Sequence, residues 1–355
     1  MNRIIFISEY FKSQTFYSAK GFFLALTLLF ALSTMGLAQK NKLGVRNAHA
    51  MVYNQKSQKV LLFGGADEQQ VHGDLWRFTG KKWKKLKASG PAPRTFPTIV
   101  YDGHHDRIVM FGGSKVLFGQ STSADNLLND TWVYINNEWN QLSTTEGPSP
   151  RAEANMVYDP IRKKIYLFGG YKIEGEDYIK LGDTWELDGQ RWKKIADDGA
   201  SARHGVVLTF HKELEKVFLF GGSTVDRNYG QQSGESWLFD GKAWTKLDIN
   251  QPSNIFNAAG TYGGGRILRF GGWKGDSRIE ETWQFLNNNW EKINLDLSPS
   301  ARNHSAMVWD EKNKRFLLYG GHDGEHVFGD TWSFTNKKWE LLMDRPALKR
   351  VANGH

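Results

Sequence analysis

Short apolar runs that close on a paired glycine recur six times along the chain, with polar turns between them. The pairs are Gly64-Gly65, Gly112-Gly113, Gly169-Gly170, Gly221-Gly222, Gly271-Gly272 and Gly320-Gly321. Each is followed by two tryptophans seven residues apart: Trp76/Trp83, Trp132/Trp139, Trp185/Trp192, Trp237/Trp244, Trp283/Trp290 and Trp332/Trp339. The third repeat shows the pattern in full. Arg151 opens an apolar run, Ala154 to Tyr158, that reaches a turn at Asp159-Pro160, and Lys164 to Phe168 returns to the glycine pair. Two extended runs joined by a tight polar turn predict an antiparallel hairpin. A variable loop follows, then Asp183 to Leu187, an Asp188-Gly189 turn and Arg191 to Ile195, a second hairpin. Four antiparallel strands per repeat are predicted, with no helical period beyond the first 38 residues.

Repeats of roughly 50 residues that end strands on Gly-Gly predict the blades of an all-β, six-bladed propeller, since no single blade buries both faces of its sheet alone. One domain is expected over residues 43–342, with blades near 43–87, 91–142, 148–195, 200–247, 250–293 and 299–342, and a tail over 343–355. Every repeat runs in the same order, so six whole blades are expected with no strand borrowed to close the ring. The tail, Leu348 to His355, looks like the opening of another repeat that stops; it either lies on the surface or pairs near the junction of the first and last blades. Glycine is demanded where the second strand ends, for a positive φ and for close approach between blades. The tryptophan rings are expected to fill the wedge that widens away from the axis. An acid stands two residues before each first tryptophan: Asp74, Asp130, Asp183, Glu235, Glu281 and Asp330. Six copies at one position argue for a blade-building hydrogen bond. An arginine precedes the first glycine by eighteen residues at Arg46, Arg94, Arg151, Arg203 and Arg302, whereas repeat five has Ser253 at that spacing. These arginines are expected either to bridge adjacent blades or to form a basic ring that receives an anionic ligand.

The amino terminus changes the picture of location. Arg3, Lys12 and Lys20 precede an apolar stretch, Gly21 to Leu32, and Gly36-Leu37-Ala38 resembles a signal-peptidase site, so residues 1–38 are expected to be a cleaved signal peptide. An uncleaved anchor is the alternative. The processed protein is then expected to be secreted or periplasmic, with no stable membrane span. Cleavage removes three bases and one acid and lowers the net charge from +8 to +6. The lysines cluster beside the second tryptophans, as at Lys81, Lys82, Lys84, Lys85 and Lys87, where they would guard an outer strand against addition by a neighbour. A nucleic-acid partner is not expected, because that footprint gathers its charge on one face. With no cysteine, the chain has no disulfide, no thiol nucleophile and no cysteine metal ligand.

These residues resemble the kelch repeat: a proline-rich lead, Arg, an apolar strand, Gly-Gly, an acid-x-Trp unit and a second Trp. Pro91-Ala92-Pro93-Arg94, Pro148-Ser149-Pro150-Arg151 and Gly329-Asp330-Thr331-Trp332 carry the likeness, which extends over residues 43–342. The resemblance implies a six-bladed β-propeller whose ligands are held on the loop face or in the axial funnel. Repeat five departs most, at Asn254 to Ala259 and Gly263-Gly264-Gly265.

Loop length points to a face. The spacing from second glycine to first tryptophan is 11 in repeats one, five and six, 19 in repeat two and 15 in repeats three and four. The long loops, Ser114 to Asn129, Tyr171 to Gly182 and Ser223 to Gly234, are expected to wall one side of the mouth. Candidate ligand contacts are Lys115, Phe118, Tyr171, Tyr178 and Tyr229, with Arg94, Arg151 and Arg203 behind them: aromatic faces among charges, suited to a sugar ring or an extended peptide. Glu153 and His304 are candidate acid–base groups, and Glu153 stands where sibling repeats have Ala48, Phe96, Gly205, Ile255 and His304. His49 and His204 also lie close behind a repeat arginine, as candidates for inner-strand hydrogen bonds or for lining the funnel. His322 and His326 are candidate metal ligands, although no helix places them on one face. No metal or other cofactor is expected. The leading expectation is a secreted, non-catalytic propeller that binds a protein or glycan on the loop face of blades two to four. The alternative is a sugar-metabolising enzyme similar to the secreted kelch-type sialic acid epimerases. Galactose oxidase shares the repeat, but its radical copper site is built with a cysteine that this chain lacks.

Overall fold

In the computed structural model, each Gly-Gly unit forms one four-stranded antiparallel sheet whose strands follow chain order from the axis outward. The structure describes residues 42–117, 123–144, 146–224 and 233–350. Gly44–His355 groups as one compact unit. The expected signal peptide therefore lies outside the described residues. No helix among the described residues is long and apolar enough to cross a membrane.

The first blade pairs Asn47–Asn54, Lys59–Ala66, Leu75–Phe78 and Trp83–Lys85. The second strands, such as Ile165 to Phe168, carry the most deeply buried side chains, because both faces of the sheet press on neighbouring blades. Six sheets arise without strand exchange, as the repeat order implies. The ring closes instead through contacts between the first and sixth blades: Arg46 N donates to Phe328 O at 2.9 Å, Gly321 N to Arg46 O at 2.8 Å, and Trp83 Nε1 to Thr331 Oγ1 at 3.1 Å.

That last bond is one of a set. The second tryptophan of a blade donates to the hydroxyl that precedes the first tryptophan of the blade before it: Trp192 to Thr131, Trp244 to Thr184, Trp290 to Ser236 and Trp339 to Thr282, all at 2.9–3.0 Å. Leu75 stands at the equivalent place in blade one, and Trp139 Nε1 is buried without a hydrogen-bond partner among the described residues. The glycine pair also works between blades. Gly64 and Gly65 have φ of 71° and 81°, and a Cβ on Gly64 would sit 2.7 Å from Arg94 O of the next blade. Gly65 N donates to that same carbonyl at 2.9 Å.

The repeat arginines are buried struts. Arg151 donates to Asp183 Oδ1 at 2.6 Å, to Asp183 Oδ2 at 2.9 Å and to Gly169 O at 3.1 Å, all within its own blade, while its carbonyl accepts from Gly113 N of the blade before. Arg94 pairs with Asp130 and Arg203 with Glu235 in the same manner. The recurring acid thus makes the expected blade-building bond, whereas the arginine side chain stays within its own blade and only its carbonyl reaches the neighbour, in place of the expected bridge. In blades two to six the acid also accepts from the first tryptophan's indole, as Asp183 does from Trp185 at 2.7 Å.

Repeat five differs in register from the eighteen-residue spacing of the other five. Gly222 N donates to Ile255 O at 2.9 Å, so Ile255, and not Ser253, holds the arginine's place. The inner hairpin of this blade is two residues shorter: its strands, Ala259–Gly263 and Arg266–Phe270, are joined by Gly264-Gly265 alone, both at positive φ. Arg269 reaches the vacated space from the neighbouring strand, donating to Gly271 O at 3.2 Å with Glu281 at 3.7 Å. Burial lowers its pKa to about 10, against a partial offset from Glu281.

Candidate functional site

Two residues past each strut position the backbone turns left-handed at Ala48, Phe96, Glu153, Gly205, Asn257 and His304, with φ between 52° and 66°. These six residues ring the axis. Phe96 N donates to Ala48 O at 2.7 Å, Asn257 N to Gly205 O at 2.8 Å, His304 N to Asn257 O at 3.2 Å and Ala48 N to His304 O at 3.1 Å. Non-glycine residues hold this conformation only where the surroundings impose it, and here the imposing contact is the next blade. Asn257, and not Ile255, is therefore the sibling of Glu153.

The ring separates two spaces. On the side of the inner-hairpin turns lies an axial channel of 1170 Å³, lined by the innermost strands and opening past Gln55, Gly103, Ile161 and Glu213. On the other side the segments that open each repeat bridge to the residues just after Gly-Gly, as in Thr95 with Ser114, Ala152 with Tyr171 and Asn303 with His322. Opening segments and loops therefore share a face, as expected.

Above the ring, side chains from blades three to six converge. His204 Nδ1 bonds Glu153 Oε2 at 2.6 Å, and His304 Nε2 lies 3.9 Å from Glu153 Oε1. His304 Nε2 also meets the Asn257 amide at 2.7 Å, His304 Nδ1 meets His322 Nε2 at 2.9 Å, and His322 Nδ1 lies 3.4 Å from Arg350. Glu153 Oε1 is buried with no hydrogen-bond partner of good geometry among the described residues. Burial alone would raise the Glu153 pKa, but the charge and hydrogen bond of His204, with His304 behind, hold it below the usual carboxylate range. Burial pushes His304 down to about 4 despite the pull of Glu153, and it holds His322 well below the usual imidazole range, with His304 and Arg278 adding to the effect. The donor order follows from Arg350, which can only donate. His322 Nδ1 accepts, so its Nε2–H donates to His304 Nδ1, and His304 Nε2–H meets an acceptor only when the Asn257 amide, whose Nδ2 stands at 2.7 Å, turns to present its oxygen. The cluster can thus present a carboxylate and a neutral imidazole N–H side by side.

The long loops of blades two and three stand over this floor. Tyr171–Glu174 and Asp177–Lys180 form a two-stranded ribbon, and Ala124–Asn126 a single 3₁₀ turn capped by Ser123. Leu127, Ala152, Tyr171 and Ile173 make a small apolar cluster joined by Phe96 and Tyr178. Tyr171 packs on Tyr178 at 5.2 Å and edge-on to His204 at 5.5 Å.

Of the sequence candidates, the structure brings together Glu153, His304, His322, Tyr171 and Tyr178. Lys115 lies beside them on the blade-two loop, its Nζ bonded to Asp125 O at 2.9 Å. Phe118 and Tyr229 lie outside the described residues. Arg94, Arg151 and Arg203 are buried in their ion pairs, so their guanidinium groups do not open onto the mouth; the structure assigns them to assembly in place of the expected ligand contact. His322 and His326 do not form a joint metal site: both nitrogens of His322 are engaged, and His326 faces Asp323 at 3.3 Å. His49 packs edge-on to Tyr319, and burial beside Arg46 lowers its pKa to about 3. Asn257, Arg269 and Arg350 were missed. The lone arginine in Ile267 to Phe270, in the one repeat without a lead arginine, was the available signal for Arg269.

A family model for the KLHDC2/KLHL20/DRC7 Kelch-repeats domain matches residues 32–222 and 161–346. The chain belongs to the kelch-repeat family. Among curated proteins, this kelch chain is 26% identical over 293 residues to the F-box/kelch-repeat protein At1g51550 of Arabidopsis thaliana, covering 72% of this chain and 56% of that protein. It is 24% identical over 206 residues to Mei4-dependent protein 6 of Schizosaccharomyces pombe, covering 52% of this chain and 29% of that one. The match thus spans about half or less of these relatives' length. Among solved structures, that of YjhT aligns with a TM-score of 0.65 at 15% identity, over 85% of this chain and 98% of that one, a likeness of fold.

Proposed function

We propose that this kelch propeller is an exported, non-catalytic binding module that takes a protein partner on its loop face, against the wall raised by blades two to four. The observation that carries the reading is the asymmetry of the two faces. Short turns make one face, whereas the other bears the Tyr171–Lys180 ribbon and the Ala124–Asn126 turn, packed on each other beside the axial mouth. Long loops held on a rigid scaffold are where binding residues concentrate. Tyr178 lies half-buried on the ribbon, and aromatic side chains are what the cores of binding surfaces favour. The export reading draws on Arg3, Lys12, Lys20 and the apolar Gly21 to Leu32 stretch, and predicts a secreted form that begins at Gln39.

The test is a peptide and glycan array probed with the chain from Gln39 onward and with a variant whose Ser114 to Asn129 loop is shortened. Peptide spots that bind the first and lose at least about tenfold with the second are expected. Undiminished binding by the shortened variant refutes the wall, and glycan spots alone replace the protein partner by a carbohydrate.

A second reading, acid–base chemistry on a sugar, draws on the Glu153 carboxylate beside His204 and 3.9 Å from His304. Following the interconversion of sialic acid anomers with purified protein tests it; a rate equal to the spontaneous one removes it.

A further inference from the structure

The last described residues cross the seam between the first and sixth blades. Leu348–Lys349 pairs antiparallel with His326–Val327, Leu348 opposite Val327 and Lys349 opposite His326. Arg350 N continues the ladder to Glu325 O at 2.6 Å. The Arg350 side chain then turns inward, its Nε donating to Glu68 Oε1 of the first blade at 3.0 Å and its NH1 to His322 Nδ1 of the sixth at 3.4 Å. This short strand is separate from the six four-stranded sheets. Leu348 and Lys349 are exposed, so the segment is held by a few backbone bonds and one cation, with little apolar burial.

The receiving site is built for a cation on an extended chain. Glu68 supplies the carboxylate, its side chain only 14% exposed. His322 supplies an uncharged acceptor, its own proton committed to His304, and the free edge of His326–Val327 supplies backbone partners. Arg278 lies close by over the Trp273 ring, 4.5 Å from its centroid, and its like charge weakens the hold on Arg350. A contact of two residues and one charge-assisted pair, opposed by a neighbouring cation, is one that a free peptide of the same chemistry can replace. Strand addition supplies affinity that is indifferent to sequence, and the pocket for the alternate side chain supplies the choice of residue.

We propose that the seam of blades one and six is a binding site for an extended basic peptide that places an arginine between Glu68 and His322, and that Leu348–Arg350 fills this site in cis. The proposal rests on the loop face being a binding face, and it adds to the wall of blades two to four a second contact on the same face. A tethered segment competes at an effective concentration on the order of millimolar, so the intact chain should bind such a peptide weakly.

The experiment measures fluorescence anisotropy of a labelled, end-blocked peptide of residues 346–352 with the full chain, with its Arg350→Ala variant, and with a chain ending at Ala347. The Arg350→Ala protein should bind at least about tenfold more tightly than the parent, and the shortened chain more tightly still. Adding Glu68→Gln to Arg350→Ala should cost at least about tenfold, as should a peptide with glutamate at the arginine. Equal binding by the parent and Arg350→Ala chains, no binding by either, or indifference to Glu68→Gln overturns the proposal. The variant with the shortened Ser114 to Asn129 loop should bind this peptide unchanged when Arg350 is also replaced. Loss of array ligands by that variant without peptide binding at the seam would leave the wall standing and remove this site alone.

Discussion

Thr131→Val should destabilise the propeller by removing one inter-blade hydrogen bond and little else. Thr131 Oγ1 accepts from Trp192 Nε1 at 3.0 Å, and both side chains are buried, so water cannot take the place of the lost acceptor. Valine keeps the volume and the β-branch, leaving a buried indole N–H unpaired, which costs about 1–3 kcal/mol. At about 2.1 cal/mol/K per residue of unfolding entropy, a unit of this size should lose about 2–5 °C in Tm. The molecule carries its own control. Trp139 packs edge-on to Phe63 at 5.6 Å and 64°, and Trp192 to Phe111 at 5.5 Å and 68°, yet Trp139 faces Leu75 and has no acceptor. Replacing either tryptophan by phenylalanine removes the same indole area, so Trp192→Phe should cost about 1 kcal/mol more than Trp139→Phe. Equilibrium denaturation of the three variants measures both differences. A Thr131→Val protein within about 0.3 kcal/mol of the parent, or equal costs for the two tryptophans, would refute the assignment of these hydroxyls as fasteners between blades.

Arg151→Met should cost about 3–5 kcal/mol, since it strands the Asp183 carboxylate and the Gly169 carbonyl; Arg269→Met should cost less than half of that, because two of its nitrogens lack partners and Glu281 already holds Lys292. Denaturant midpoints of the two variants check the ranking. Stability should fall as pH drops from about 6.5 toward 4, because His304 and His49 stay neutral in the fold, with pKa values of about 4 and about 3, while the unfolded chain takes up protons at both. For His304 the ceiling is about 3 kcal/mol, and urea midpoints unchanged between pH 7 and 5 would contradict it. Below about pH 4.5 the depressed carboxylates add to the loss, Glu235 among them at about 2, where the pairs with Lys246 and Arg203 outweigh its burial. Gly169→Ala should cost several kcal/mol, on the order of 3, since its φ is 69° and its Cβ would lie 2.4 Å from the Arg203 carbonyl oxygen; thermal melts would show it.

The blade was legible because its determinants are local and repeated. Strand, turn, Gly-Gly and the acid-x-Trp unit lie within one repeat, and six copies reveal which residues belong to the scaffold. The same regularity misled at repeat five. Counting eighteen residues back from Gly271 lands on Ser253, whereas the shorter hairpin puts Ile255 in the strut position and Asn257 in the ring. Only the hydrogen bond from the preceding blade's glycine reveals that offset.

Sequence by itself determined the number of blades, the strand order, the glycine and tryptophan positions and the structural use of the recurring acids, since each is a requirement of one sheet packing on its twin. Tertiary structure decided which polar side chains meet. Glu153 and His204 are 51 residues apart and come together through the turn of one blade onto the next, and Arg350 reaches Glu68 across 282 residues because the ring closes there. A site at an axis is assembled from residues of several blades, so no window of the chain contains it.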